Sequence, residues 1–341
     1  MERDYHELKR RVQAAGLLER QPRRFLGMLL ATAGLLALGL VFVARYRTPW
    51  AQALEALYLG AVAVQFAFLV HDAGHRQAFA RRWQNTLVGV LLGDLLLGVS
   101  YGWWEQKHNR HHANPNHVDL DPDIDLPLIA FSPAQAAEKR GLARLITRYQ
   151  VWCAVPLLTL VAYGQRLSSF QFLVRGRSRY RRWELAALVG HVALYVGVPL
   201  AVLGPWSTLL FIVVQQACTG LYLGLVFAPN HKGMALADGT TRLDFLRSQV
   251  LTSRNVRPNP LVDWWYGGLN YQIEHHLFPA LPRHRLRAAR RIVQDFCRER
   301  GVAYHETSVL GSYREILGYL HAVGASLPPR RQPEGAQQPT P

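Results

Sequence analysis

The sequence predicts an all-α integral membrane protein, and three observations support that prediction. Half of the 341 residues are hydrophobic, the apolar residues are gathered into long runs, and the arginines occupy the polar stretches between those runs. The formal charge of +16 could also indicate a nucleic-acid-binding protein. Because the basic residues adjoin apolar runs and form no recognition motif, we expect membrane lipid as a partner and no nucleic acid.

Four apolar runs are long enough to cross a bilayer as helices, since about 20 residues at ~1.5 Å each cover a ~30 Å hydrocarbon core. Short connections join the first run to the second and the third to the fourth, which predicts two hairpins. Shorter apolar stretches at 87–99 and 151–163 are interpreted as interfacial or re-entrant helices, with a third hairpin as the alternative. The predicted spans are residues 25–44, 51–70, 185–203 and 206–228.

The distribution of basic residues predicts the orientation of these spans. Seven Lys and Arg precede the first span, fifteen lie between the second and third, fifteen follow the fourth, and two lie between the first and second. Because cytoplasmic loops are enriched in Lys and Arg, we expect a multi-pass protein of the cytoplasmic membrane with both termini in the cytoplasm. The predicted organisation is a cytoplasmic segment 1–24, a membrane domain 25–320 with a helical cytoplasmic cap, and a disordered Pro- and Gln-rich tail 321–341.

Histidine is the unusual residue of this chain. Fourteen histidines occur, and eight of them fall in four places that the predicted topology puts on one face of the membrane. Residues three and four apart project from one side of a helix, so each group presents its side chains together. The candidates are His71 and His75 in HDAGH, His108, His111 and His112 in HNRHH, His231 in APNHKG, and Gln272, His275 and His276 in QIEHH.

This concentration of histidines predicts a metal site. Neutral imidazole nitrogen is a ligand for iron, zinc and copper. One zinc ion takes about four ligands, and because eight histidines are more than one ion needs, we expect two ions. The three cysteines form no CxxC pair, which argues against a thiolate zinc site and a disulfide framework. HDAGH also differs from the zinc-protease motif, because Asp72 stands where that motif has its general-base glutamate.

The spacing and order of these motifs resemble the three histidine boxes of the membrane fatty acid desaturase family. The resemblance runs from about residue 50 to about residue 320 and includes the words WWEQKHNRHHANPNHVDLDPDID and GGLNYQIEHHLFPALPRH. It implies a non-haem centre of two iron ions under the cytoplasmic ends of four helices. The implied iron ligands and catalytic residues are His71, His75, His108, His111, His112, His231, His275 and His276, with Gln272 as a further metal ligand.

Gln272 stands where many family members have the first histidine of the third box. This glutamine form is similar to the branch that includes front-end acyl desaturases and sphingolipid desaturases. Many front-end members carry a fused haem domain with an HPGG signature, and no such stretch occurs in this sequence.

The resemblance implies an oxidoreductase that inserts a cis double bond into a fatty acyl chain, carried by coenzyme A or by a lipid, with O₂ and two electrons. A redox metal is needed, because no side chain can remove hydrogen from an unactivated methylene pair. We expect a separate electron donor, a ferredoxin or a flavin reductase system, since the sequence has no GxGxxG motif and no thiolate cluster. The Arg-rich segments 175–182 and 283–291 are its predicted docking surface.

Two other interpretations stay open at the level of sequence. A hydroxylase, an epoxygenase or a carotenoid oxygenase could use the same ligands and differ only after the first hydrogen is removed. A membrane haem electron carrier would need paired histidines within the spans, whereas these motifs lie outside the apolar runs.

Further side chains are expected around the metal site. Carboxylates should orient the imidazoles and balance the charge of the ions, and aromatic residues should line an acyl tunnel or, alternatively, form the membrane-interface belt. His117, His191 and His284 lie outside the boxes: His117 and His284 are predicted to be peripheral, and His191, which lies within the third span, is interpreted as a structural residue with a functional role as the alternative. The candidate carboxylates are Asp72, Asp119, Asp121, Asp123, Asp125, Asp263 and Glu274, and the candidate aromatic residues are Trp103, Trp104, Trp264, Trp265 and Tyr266.

Overall fold

The computed structural model describes residues 2–240 and 243–328, and within these ranges the chain is predominantly helical, as the sequence predicts. Two parallel two-residue strands, β1 (Asn255–Val256) and β2 (Glu306–Thr307), are the exception. The α-helices are α1 (Glu2–Ala14), α2 (Pro22–Arg45), α3 (Pro49–Gly74), α4 (Arg82–Gly89), α5 (Tyr101–Ala113), α6 (Pro133–Glu138), α7 (Gly141–Arg148), α8 (Gln150–Leu158), α9 (Val161–Val174), α10 (Arg181–Val192), α11 (Val198–Leu203), α12 (Pro205–His231), α13 (Phe245–Leu251), α14 (Pro260–Trp265), α15 (Gln272–Leu277), α16 (Leu286–Glu299) and α17 (Val309–Ala325).

Most of the predicted tail, 329–341, lies outside the described residues. Its beginning differs from the prediction, because α17 continues beyond residue 320 to Ala325. Val323 and Leu327 are buried in an apolar cluster with Ala130 and Ala136, so this part of the chain packs against the rest of the molecule.

Four helical segments are long and apolar enough to cross a membrane, and they coincide with the four predicted spans. They are α2, α3, the continuous segment Arg181–Leu203 formed by α10, a π-helical turn and α11, and finally α12. The second and fourth spans are longer than the sequence predicts. As a result, His71 lies in the last turn of α3, and His231 is the last residue of α12 instead of lying beyond it.

α3 and α12 pack against each other at the centre of the molecule. In the most apolar stretch of each helix, 61% of the residues of α3 and 50% of those of α12 are buried. The corresponding shares are 11% for α2 and 6% for Arg181–Leu203, so these two helices present their apolar side chains outward. Gly60 allows the close approach, because a Cβ there would lie only 2.8 Å from the Cβ of Cys218 on α12. The ends of α3 and α12 are therefore held at a fixed separation.

A sharp bend between α4 and α5 aims α5 at the ends of the central helices. α4 continues as the π-helical turn Val90–Leu97, and the direction of this segment changes by 111° before α5. Gly98 lies at the bend with φ of 68°, and a Cβ there would meet the ring of His191. The predicted stretch 87–99 is thus half of a bent pair, which is a broken span or a re-entrant segment.

α8 and α9 follow each other closely along the chain and both pack on α12. The approach occurs at Gly220, where a Cβ would lie 2.8 Å from both the Leu158 and the Thr159 main-chain oxygens. Both helices line one side of a cavity between themselves and the central pair.

Two further apolar clusters lie next to the ends of α3 and α12 and include α1, α13, α15, α16 and α17. In the first cluster, Leu8 of α1, Leu246 of α13 and Phe296 of α16 surround Ile273 and Leu277 of α15. The second cluster joins α17 to the segment 124–131. Packing on all sides fixes the short helix α15, which carries the QIEHH motif.

Candidate metal centre

All nine residues predicted as metal ligands lie close together, although they come from four separate segments of the chain. His71 is in the last turn of α3 and His75 is its C-cap residue. α5 supplies three histidines, the end of α12 supplies His231, and α15 supplies Gln272 and two histidines. The histidines form two adjoining groups, which are His71, His75, His108, His112 and His275 in the first and His111, His231 and His276 in the second.

In the first group the Nε2 atoms point at one another. The Nε2 of His108 lies 2.9 Å from that of His75 and 3.1 Å from that of His112. The Nε2 of His275 lies 3.1 Å from those of both His71 and His112. Two nitrogens that each bind one ion at ~2.1 Å are separated by about 3 Å when they occupy adjacent positions, so these distances fit a shared ion.

The second group has the same arrangement with a glutamine added. The Nε2 of His231 lies 3.2 Å from that of His111 and 3.0 Å from that of His276. The Gln272 Nε2 is 2.9 Å from the His231 Nε2, and the Gln272 Oε1 is buried without a hydrogen-bond partner. A half-turn of the amide exchanges these two atoms and would direct the unpartnered oxygen at the group.

The hydrogen-bond partners of the Nδ1 atoms determine which ring nitrogen of His231 and His276 carries the proton. The Nδ1 of His231 lies 2.9 Å from the Thr252 main-chain oxygen, and that of His276 lies 2.8 Å from the Gln249 Oε1. Both oxygens only accept hydrogen bonds, so each Nδ1 donates and each Nε2 keeps a lone pair. Lone pairs that face each other at 3.0 Å repel unless a cation lies between them, and the donor set therefore fits a bound metal ion.

Asp121 orients His111 through the same kind of contact. Both carboxylate oxygens of Asp121 lie 3.0 Å from the His111 Nδ1, and the carboxylate also accepts from the main-chain N–H groups of Asn116 and Asp123. Burial alone would raise the pKa of Asp123, but Lys107, His111 and Lys232 together hold it below its usual value. Two carboxylates of the acidic run thus stay ionised beside the second group.

Burial keeps the histidines of α15 neutral. It lowers the pKa of His275 and of His276 well below the usual value, and the neighbouring imidazoles lower both further. Burial also raises the pKa of Glu274 to about 7. The Glu274 carboxylate points away from the imidazoles and accepts from Asn255 and Tyr304.

The other candidate carboxylates divide into two sets. Asp72 lies near the centre, with an oxygen 3.8 Å from the His71 Nδ1 and a 2.6 Å hydrogen bond from Arg283. Asp119 and Asp125 are exposed, and Asp263 accepts from Asn270 and Tyr271 instead of a histidine. The predicted orienting role therefore fits Asp72, Asp121 and Asp123.

Two buried carboxylates hold the first turn of α5, a feature that the sequence analysis misses. Glu184 of α10 accepts from the Ser100 hydroxyl at 2.8 Å and from the Gly102 N–H at 2.7 Å, and Asp94 accepts from the Tyr101 N–H at 3.1 Å. Acidic groups at a helix N-terminus satisfy free N–H groups and favour the helix dipole. They fix the helix that carries three of the histidines.

A cavity of about 800 Å³ opens against the metal centre. Its lining residues extend along α12 from Gln215 to His231, which corresponds to roughly 24 Å of helix. Trp103 and Trp104 line it as predicted. The other three aromatic candidates do not, because Trp264 is largely exposed, Trp265 stacks on Tyr222, and Tyr266 is buried in the core.

A profile of the family described as Fatty acid desaturase matches residues 48–308, which is more than half of the chain. The chain belongs to this family. The Acyl-lipid (9-3)-desaturase of Physcomitrium patens is 31% identical over 94% of this chain and 62% of its own length. The Delta(6)-fatty-acid desaturase of Caenorhabditis elegans is 31% identical over 94% of this chain and 74% of its own length. The Delta(8)-fatty-acid desaturase of Euglena gracilis is 31% identical over 97% of this chain and 81% of its own length.

Family membership confirms the resemblance predicted from the histidine motifs. Fatty acid desaturases are oxidoreductases, and the four apolar helices make this family member a multi-pass membrane protein. The chain spans less than two thirds of the Physcomitrium patens relative.

The three histidines outside the boxes also lie outside both histidine groups of the described residues. His117 accepts from the Asp119 N–H, and His191 contacts Leu95 and Arg166. His284 is partly buried, and burial lowers its pKa to about 4. The sequence analysis misses Gln249 and Thr252 as partners of the imidazoles, because neither residue belongs to a recognisable motif.

Proposed function

We propose that the chain is a membrane-bound di-iron fatty acyl desaturase that introduces a cis double bond into an acyl chain. The observation that carries this proposal is the pair of neutral imidazole groups on the wall of a largely apolar cavity. When bound, two iron ions would supply the O₂ chemistry that, with two electrons and two protons, removes two hydrogens and yields an alkene and two water molecules.

The proposed roles of the residues follow from their contacts. His71, His75, His108, His112 and His275 would hold one ion, and His111, His231 and His276 the other, with Gln272 as a further ligand through its oxygen. Asp121 holds the proton of His111 on Nδ1. Trp104 stacks on His108 with ring centroids 4.5 Å apart and, with Trp103, covers the centre on the cavity side. The cavity walls hold the acyl chain and exclude water.

Metal analysis tests the centre. Purified protein from iron-replete cells is expected to contain about two irons per chain, and His111→Ala should lose metal and activity together, whereas His117→Ala should keep both. His231→Ala should abolish product, whereas His284→Ala should retain substantial activity. Stoichiometric zinc without iron would contradict the di-iron assignment, and equal tolerance of the last two variants would remove His231 from the ligand set.

Product analysis tests the reaction. Expression in a host with a simple fatty-acid profile should produce a new double bond that mass spectrometry can locate. Hydroxylated or epoxidised chains instead would assign the chain to another oxygenase activity of the same type of centre. A Soret band in the purified protein would instead indicate a haem carrier.

We further propose that the four spans form two hairpins with the metal centre and both termini on the cytoplasmic side. The excess of Lys and Arg in the flanking and central segments supports this orientation. The histidines at the ends of α3 and α12 then lie at the cytoplasmic membrane face, under a cap formed by the remaining helices.

A separate reductant is proposed to dock on that face. Arg287 and Arg291 are exposed, as are Arg175, Arg177 and Arg182, and they could attract an acidic ferredoxin or a flavin reductase. Other arginines of the predicted surface have intramolecular partners, which are Asp72 for Arg283, Glu19 for Arg285 and Glu306 for Arg290. The docking surface is therefore smaller than the sequence predicts.

Reconstitution tests the donor. Enzyme with NADPH, O₂ and substrate alone should be inactive, and a ferredoxin or flavin reductase system should restore turnover at a rate that falls as salt rises. Sustained turnover with NADPH alone would contradict the separate donor, and a salt-independent rate would contradict electrostatic docking.

A further inference from the structure

The last turn of α12, which ends at His231, is weakly held by the helix itself. Pro229 lies inside this turn and has no N–H, so the Leu225 main-chain oxygen four residues earlier loses its usual helical partner. The Tyr313 hydroxyl of α17 donates to that oxygen at 2.8 Å instead. The final carbonyls of a helix also lack helical partners. The position of His231 therefore depends on groups from outside α12.

Arg254 supplies three of the hydrogen bonds that this turn needs. Its Nε donates to the Pro229 main-chain oxygen at 2.8 Å, and its Nη2 donates to the Lys232 main-chain oxygen at 2.8 Å. Its own main-chain N–H donates to the Asn230 oxygen at 2.8 Å. These three carbonyls flank His231 on both sides, and a positive charge near the carbonyl end of a helix is favourable.

Arg254 is itself fixed by its surroundings. Its side chain is 0% exposed, and its Nη1 pairs with a carboxylate oxygen of Glu315 on α17 at 2.5 Å. It directly precedes β1, where the Asn255 N–H donates to the His305 main-chain oxygen at 3.0 Å. A buried guanidinium is costly unless its donors find acceptors, so the carbonyls of α12 and the guanidinium satisfy each other.

The segment 252–254 holds the imidazole of His231 as well as its main chain. The Thr252 main-chain oxygen accepts from the His231 Nδ1 at 2.9 Å, and Arg254 follows two residues later. A displacement of Arg254 would therefore disturb both the turn that carries the ring and the acceptor that fixes its Nδ1.

We propose that Arg254 is a positioning residue of the metal centre and holds His231 in place as a ligand of one of the two ions. The proposal rests on the proposed function for the identity of that ligand. Loss of the Arg254 side chain would affect the two ions differently, because the first histidine group, as the structure describes it, includes no residue of α12. The affected group is His111, His231 and His276.

Chemical modification of the metal-depleted, detergent-purified full chain tests the positioning without any metal. Diethyl pyrocarbonate acylates unprotonated imidazole, and peptide mass spectrometry measures the rate at each histidine. His231 should react roughly tenfold or more faster in R254Q than in the wild type, because one hydrogen bond from a charged group contributes about that factor to the opening equilibrium. His71 is the internal reference, since it ends α3 and is as buried, with 7% exposure against 5% for His231. Its rate should not change.

Metal binding supplies a second readout. Metal-depleted protein is titrated with Fe²⁺ in the absence of O₂. The wild type should bind two ions, and R254Q should bind one of them with wild-type affinity and the other roughly 10- to 100-fold more weakly, as expected for the loss of an orienting contact. R254K retains a charged donor without the planar fork, so it should show a smaller selective effect.

R290Q is the matched control. Arg290 donates two hydrogen bonds to Glu306 of β2, the strand that pairs with β1, and among the described residues it donates none to α12. R290Q should leave the rate at His231 and both affinities unchanged. Equal His231 rates in R254Q and the wild type would overturn the proposal, and so would an increase at His71 as large as that at His231. If R254Q does not fold, the comparison of R254K with R290Q decides by the same criterion.

The two readouts separate this proposal from the proposed metal centre. A wild-type protein that binds fewer than two irons, together with a selective increase at His231 in R254Q, would contradict the two-ion centre and leave the positioning of His231 in place. Two bound irons without a selective increase would do the reverse.

Discussion

At the scale of single residues, the direction of the second imidazole nitrogen decides what the histidines can do. In His111, His231 and His276 an acceptor outside the group holds the Nδ1 proton, which leaves the Nε2 lone pair for a metal ion. Metal-ligating histidines are commonly held in this way, and the orienting partner contributes to affinity. The partner is an aspartate for one ring, a main-chain oxygen for another and a glutamine for the third.

Asp121→Asn should weaken metal binding by roughly 10- to 100-fold, because an amide accepts the His111 proton less strongly and its own N–H groups repel the donors that now surround the carboxylate. Titration of the bound metal with a chelator measures the effect. Asp119→Asn is the control, since Asp119 is exposed two residues away. Unchanged metal affinity in Asp121→Asn would show that the orientation of His111 does not depend on this carboxylate.

The stability of the metal-free protein should also depend on pH. Burial and the neighbouring imidazoles lower the pKa of His275 and His276 in the fold. The unfolded chain then binds more protons than the metal-free fold below about pH 6.5, and the stability of the metal-free fold decreases as the pH falls through that value. The Tm of metal-depleted protein should therefore be lower at pH 5.5 than at pH 7.5. A Tm that rises on acidification would contradict the neutral state of these rings.

At the scale of elements, α5 depends on residues far away in the sequence. Its first turn is held by Glu184, which lies more than 80 residues further along the chain, and by Asp94 on the other side of the bend. The orientation of three histidines is thus linked to the packing of α10 against the π-helical turn.

Glu184→Ala should lower the free energy of unfolding by about 1–3 kcal/mol, because the Ser100 hydroxyl and the Gly102 N–H lose their buried acceptor. Thermal unfolding in detergent measures this loss, and metal content should fall with it. Glu184→Gln keeps one oxygen and should lose less. Glu138→Ala, at an exposed position of α6, should change neither quantity. A normal Tm and a full metal content in Glu184→Ala would argue against this account of α5.

The elements also show how far a sequence can be interpreted without a structure. Long apolar runs locate the four spans, because a helix that crosses the hydrocarbon core of a bilayer needs apolar residues along its whole length. The spacing of the histidines identifies the ligand candidates. The partners Glu184, Gln249 and Thr252 leave no such signal, since one hydrogen bond between distant segments imposes no local pattern.

At the scale of the whole molecule, the proposed orientation can be measured directly. In a variant without the three native cysteines, a single cysteine at Arg47 should react with a membrane-impermeant maleimide in intact cells. A cysteine at the exposed Arg287 should react only after the membrane is permeabilised. Labelling of the second position in intact cells would reverse the orientation and move the metal centre to the outer face.

The wide spacing of the ligands along the chain has a consequence for how the protein is made. The ligand candidates begin at His71 and end at His276, and each of the two groups includes one histidine from α15. A nascent chain that has not yet reached residue 275 can complete neither group, even if its first helices are already in the membrane. The proposed metal ions would therefore bind only after translation has passed α15, and a chain released by a ribosome that stalls earlier would lack one histidine of each group.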